Sequence, residues 1–222
     1  MDKNMKLFDL AKKRQSFCWD GYKNIGDYHD GIYECDFVSP YTKSANNVEA
    51  KVMVFLQDWS SDDFLRGNID KETVRLGYTP DRYTNKNLID LLHNHFSLKL
   101  SDVYVTNLFP FIKPGSMKEF IPVRDMVRAA KEFGLPQIEI IAPKIIIALG
   151  LSTFNALYKT CEAKMVKNIN DGVKLSPFYY YNSAIFCQAH TGMQGKNTRN
   201  KGGVNRVSTD WDEMAKFLLK AL

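Results

Sequence analysis

The chain has 222 residues, 45% hydrophobic and 13% aromatic, enough for one large domain with a substantial core. Thirty basic against 25 acidic residues leave a net charge of +5, which is compatible with nucleic acid without demanding it. Cys18, Cys35, Cys161 and Cys187 are widely separated with no C-x-x-C, which argues against a zinc site or an iron–sulfur cluster. A reduced protein without metal or cofactor is the expectation.

Residues 5–18 place Leu7, Leu10, Ala11 and Phe17 among Lys6, Lys12, Lys13 and Arg14, the pattern of a basic amphipathic helix. Residues 19–50 are rich in Gly, Tyr, Asp, Asn and Ser, with turns expected at Asp20-Gly21 and Asp30-Gly31. Residues 1–50 therefore read as a helix and an irregular segment packed on the core of a single domain spanning 1–222. No signal-peptide stretch follows residues 1–6 and no window is apolar enough for a membrane span, so a cytoplasmic location is expected, and a monomer is taken as the default state.

From residue 51 the pattern alternates. It predicts strand 51–56, helix 85–97, strand 103–106, helix 119–133, a short helical stretch at 136–141, strand 144–149, helix 152–160, strand 184–189 and helix 209–221. Asn85, Ser152 and Thr209 are the candidate N-caps. Such alternation implies an α/β fold with a parallel sheet covered by helices. The run Lys144-Ile-Ile-Ile-Ala-Leu149 is apolar on both faces, as a central buried parallel strand must be. Residues 192–206 read as a flexible basic loop with Lys196, Arg199, Lys201 and Arg206, four glycines and no acid.

Three of these strands are followed by a residue capable of chemistry: Asp58, Asn107 and His190. Taken singly, Asp58 and Asn107 read as turn or cap residues and His190 as a structural histidine. Taken together they share one crevice, because ligands of open parallel sheets bind beyond the carboxyl ends of the strands. His29, His93 and His95 have no such context, and the last two fit an ordinary helix end. Lys113-Pro-Gly-Ser116 reads as a plain turn, with phosphate contact through backbone amides as the alternative.

The motif order Val52-Met-Val-Phe-Leu-Gln-Asp-Trp59, Val103-Tyr-Val-Thr-Asn-Leu108, Ile141-Ala-Pro-Lys-Ile-Ile-Ile-Ala-Leu-Gly150 and Phe186-Cys-Gln-Ala-His-Thr-Gly192 resembles the uracil-DNA glycosylase superfamily over roughly residues 50–220. The resemblance implies a three-layer α/β/α sandwich around a four-stranded parallel sheet, with DNA as partner. It also implies roles: Asp58 for the attacking water and the sugar cation, Asn107 for the edge of a flipped base, and His190 for the charge on the departing base. Gln57 belongs to the same first motif. Where the family carries a Tyr that excludes a 5-methyl group, this chain has Ser60, which removes a wall beside pyrimidine C5. Where the family has a Leu wedge, Met193 and Gln194 are the candidates here.

Base–sugar hydrolysis separates charge, so a carboxylate must face the sugar and a neutral donor the base; each fixed donor is worth roughly 3 to 4 kcal/mol of barrier. Extruding the base costs a few kcal/mol and needs an aromatic platform, for which Tyr78 is preferred over Trp59 and Phe64. Lys196, Arg199 and Lys201 are the candidates for phosphate contacts.

Three functions compete at this point. The first is excision of a bulky C5-modified pyrimidine such as glucosylated hydroxymethylcytosine, which some superfamily members remove from phage DNA in antiviral defence. The second is uracil excision in base-excision repair, and the third is DNA binding without catalysis. A Rossmann-type nucleotide site is disfavoured, since no G-x-G-x-x-G or P-loop follows the first strand.

Overall fold

The computed structural model describes residues 2–220. Helix α1 (Lys3–Ser16) opens the chain and is followed by three short 3₁₀ turns at Ile25–Asp27, His29–Gly31 and Pro40–Ser44. Strand β1 (Val52–Asp58), helices α2 (Asp62–Leu65), α3 (Lys71–Leu76) and α4 (Tyr83–Phe96), and strand β2 (Tyr104–Phe109) come next. Helices α5 (Val123–Ala129) and α6 (Leu135–Ile141), strand β3 (Ile145–Leu149), and helices α7 (Leu151–Glu162) and α8 (Ile169–Leu175) form the middle. Strands β4 (Phe178–Tyr180) and β5 (Ser183–Gln188) precede helices α9 (Met193–Arg199) and α10 (Arg206–Lys220).

The fold is α/β, and its sheet has five strands in the order β2-β1-β3-β5-β4. Four are parallel and β4 runs antiparallel to β5, so the expected four-stranded parallel sheet is corrected to a mixed one. Three residues are too few for a period-2 signal. Phe178 anchors β4 against Phe154 and Tyr158, and Tyr181 at positive φ turns the chain into β5.

Helices cover both faces. On one, Met53, Phe55, Leu108, Ile146 and Ile185 pack with Phe133, Ile138, Phe154 and Leu157. On the other, Val54, Val105, Ile147 and Phe186 pack with Leu88, Leu92, Trp211 and Met214. From β1 the chain moves to β2 on one side and then to β3 on the other, so winding reverses beside β1, the position at which open sheets place ligands beyond the strands' carboxyl ends.

Arg14, fully buried, braces the N-terminal segment internally by bonding Glu34 and the carbonyls of Cys35 and Phe37, and Thr42 Oγ1 ties the segment to β2 by donating to Val105 O.

Several expected boundaries shift for identifiable reasons. Strand β1 continues through Asp58 and β2 through Phe109, because backbone pairing of Leu56 with Asn107 and of Asp58 with Phe109 outlasts the apolar run. Helices α5 and α6 join through a π-turn at Ala130–Gly134, ahead of Pro136, which lacks an N–H; Gly134 lies there because a Cβ would meet Leu108 Cδ1 at 2.6 Å. Asn85, Ser152 and Thr209 all fall inside their helices, and Asn205 Oδ1 accepts from Ser208 N–H to start α10. The basic segment after His190 is not wholly a loop, since residues 193–199 form α9.

Candidate functional site

Beyond β1 and β2 lies a cavity of about 550 Å³ that brings together Gln57, Asp58, Ser60, Tyr78, Asn107, His190 and Gln194. All three strand-end residues thus face one space, although Asp58 terminates its strand and Asn107 lies within its own.

Asp58 shares the cavity with a lysine. Gln57 Nε2 donates to Asp58 Oδ1 at 2.9 Å, and Lys113 Nζ stands 2.9 Å from Oδ2, the two charged side chains being 7% and 3% exposed. The segment after β2 brings Lys113 back to β1: Ser61 and Lys113 form a parallel bridge, and Asp62 N–H bonds Lys113 O. Lys113 Nζ also donates to Met117 O at 2.8 Å. The turn at Lys113 is therefore part of the site through its side chain. The ammonium fixes the carboxylate, and Oδ2 retains hydrogen-bonding capacity for a ligand or water.

His190 is held as a neutral donor. Gly192 N–H donates to Nδ1 at 3.0 Å, which puts the ring proton on Nε2. Burial pushes its pKa below the ordinary value, against the opposing charge of Asp58. The loop is pinned to α4, with Thr191 Oγ1 donating to Thr84 O and Asn87 Nδ2 to Thr191 O. Helix α9 approaches so closely that a Cβ at Gly195 would lie 2.2 Å from His190 O.

Asn107 is oriented from the N-terminal segment. Ser39 Oγ accepts from Tyr41 N–H at 3.4 Å and donates to Asn107 Oδ1 at 2.5 Å, leaving the Nδ2 hydrogens for a ligand. Ser39 and Asn107 are both buried. Nothing in the residues around Ser39 except its place before Pro40 hinted at this.

Among the candidate aromatics, Tyr78 stacks on Tyr41 with centroids 5.0 Å apart and planes 19° apart. Trp59 is fixed by an Nε1 bond to Gly77 O, and Phe64 lies under the Arg82 guanidinium, so each of these rings has a wall role. Ser60 is buried, and its Oγ and Tyr41 Oη make no hydrogen bond with a described residue. Leaving such a group unsatisfied costs about 1–3 kcal/mol, and a ligand or water in the cavity would remove that cost.

The basic residues divide. Arg199 is occupied: its guanidinium grips Asp210 at 2.6 and 2.8 Å and bonds Asn170, which holds α9 to α10. These bonds take three of its five N–H groups, which leaves less of the guanidinium for the expected phosphate contact. Lys196 Nζ donates to Asn87 Oδ1 at 3.1 Å and stays near the His190 loop, whereas Lys201 and Met193 are exposed. Of the remaining histidines, His29 Nε2 bonds Leu65 O and His95 Nδ1 meets Asp212. Sequence reasoning missed Ser39, Tyr41 and Arg82 as members of the site and read Lys113 as part of a turn, with backbone phosphate contact as the alternative, but not as a partner of Asp58. Its only signal was a lone Lys between an apolar run and Pro-Gly.

No model of a known protein family matches the chain, and no curated protein matches it either. Among the described residues no helix is long and apolar enough to cross a membrane, and no three His, Cys, Asp or Glu side chains gather as metal ligands would.

Proposed function

We propose that the protein is a monofunctional DNA glycosylase of the uracil-DNA glycosylase type, acting on a pyrimidine extruded from DNA and leaving an abasic site. The observation that carries this reading is the convergence of a carboxylate, a neutral Nε2–H imidazole and an oriented amide on one cavity. Asp58, fixed by Gln57 and Lys113, orients water and stabilises the sugar cation. His190 Nε2–H donates to the oxygen on which negative charge collects, and its low pKa keeps it a neutral donor at pH 7. Asn107 reads the base edge, and Tyr78, backed by Tyr41, supplies a face for stacking.

For the substrate, Ser60 supports a pyrimidine with a bulky C5 group, such as glucosylated hydroxymethylcytosine in phage DNA, and hence an antiviral role. Its small side chain leaves room, and its unpartnered hydroxyl favours a polar substituent. Uracil is the second reading, since the free Asn107 Nδ2 donor suits a 4-oxo group. Incubation with DNA carrying glucosylated hydroxymethylcytosine, uracil or a thymine mismatch, followed by alkaline cleavage, separates the two. Breaks at the modified cytosine are expected, and breaks at uracil alone would remove the modified-base proposal.

A further inference from the structure

Arg82 lies immediately before α4 and lines the cavity, its guanidinium 4.3 Å from the Phe64 ring centroid. It is half-buried, yet no described carboxylate lies within salt-bridge distance of it. Arg14, Arg66, Arg75 and Arg199 all have such partners. The acids closest in sequence and charge to Arg82 are already engaged. Asp70 caps α3, accepting from Glu72 N–H, Thr73 N–H and Thr73 Oγ1, and Asp81 pairs with Lys86 at 2.8 Å. Across the cavity, Asp58 has its own cation in Lys113.

The same cavity has other unmet capacity. The first turn of α4 contains no acid, its N-cap makes no side-chain bond, and Thr84 lines the cavity beside Arg82. The leading N–H groups of a helix point outward and add positive potential there. Tyr41 Oη and Ser60 Oγ, both on residues at least nine-tenths buried, are unpartnered in the same cavity. A guanidinium over a ring is partly desolvated and keeps N–H groups for bidentate bonds to an anion.

We propose that Arg82 and the first turn of α4 form an anion site that takes a phosphodiester group of DNA next to the nucleotide lodged in the cavity. The proposal rests on reading the cavity as a nucleotide site, but not on bond cleavage there. It differs from the phosphate contacts expected of the basic segment after His190, because Arg82 lies on the opposite sequence arm of the site.

The test is binding of the full chain, wild type and Arg82→Gln, to oligonucleotides bearing the target nucleotide over a range of salt. Arg82→Gln is expected to weaken binding and to lower the logarithmic salt slope by about 1. Neutral methylphosphonate is then placed, one position at a time, at the phosphates flanking the target. At one position wild type should lose the affinity that Arg82→Gln has already lost, so that the two losses do not add. Equal salt slopes with additive losses at every position would overturn the proposal. So would displacement of DNA by millimolar inorganic phosphate from wild type but not from Arg82→Gln, which would mark a site for free phosphate. If Arg82→Gln does not fold, the wild-type scan alone decides, and insensitivity at every flanking phosphate overturns it. Coupling at one phosphate without any base release would leave the anion site standing and remove the glycosylase reading.

Discussion

Asp58 and Lys113 meet inside the cavity, Arg199 and Asp210 meet between α9 and α10, and the two pairs differ in what is left over. Asp210 gives both oxygens to the Arg199 fork, and Asn170 takes another guanidinium hydrogen. Asp58 receives Gln57 at one oxygen, while the other faces Lys113 and keeps hydrogen-bonding capacity. Burial is similar, with side-chain exposures of 11% and 8% for Arg199 and Asp210, and 7% and 3% for Asp58 and Lys113. Saturation, rather than burial, separates a pair that fastens two helices from one that offers a charge to a ligand.

The comparison can be broken most forcefully at Asp58. Asp58→Asn is expected to slow base release by about 10²–10⁴-fold, measured by abasic-site formation, while unfolding changes less than for loss of a whole partner because Asn can keep an acceptor oxygen beside Lys113. Arg199→Ala should do the reverse. Urea unfolding should show a loss of about 3–5 kcal/mol, with the rate per folded molecule retained. Equal effects of the two variants on rate and stability would erase the distinction.

Smaller effects sharpen it. Ser39→Ala frees the Asn107 amide to rotate, and is expected to narrow the discrimination between 4-oxo and 4-amino pyrimidines by about 1 kcal/mol in competition assays. Unchanged selectivity would mean that the Ser39 bond is only structural. For pH, His190 has a folded-state pKa below 6.5, so between that lower value and 6.5 the unfolded chain binds more protons. Stability therefore falls as pH drops through this window and is restored above 6.5. Denaturant titrations of His190→Gln should show a shallower acid decline than wild type.

Much of the fold was legible because apolar period decides it: the parallel strands and the helices α1, α4, α7 and α10 all follow their hydrophobic patterns. What escaped depends on partners distant in sequence. Strand β4 exists by pairing with β5, and α9 forms in a glycine-containing basic stretch where Gly195 permits close packing on His190. At the site, Asp58, Asn107 and His190 could be placed because each sits at or near a strand end. Lys113 and Ser39 could not, since their side chains reach Asp58 and Asn107 only after the loops fold back. Arg199 shows the complementary limit: its charge was visible in the sequence, and its pairing with Asp210, eleven residues on, was not.

The central claim is that this cavity breaks a base–sugar bond through Asp58. Mass spectrometry of the material released from DNA containing glucosylated hydroxymethylcytosine or uracil, with wild type and Asp58→Asn side by side, tests it directly. The account predicts free modified base from wild type, in proportion to abasic sites, and almost none from Asp58→Asn. Intact DNA with wild type, or equal release by both proteins, would contradict it.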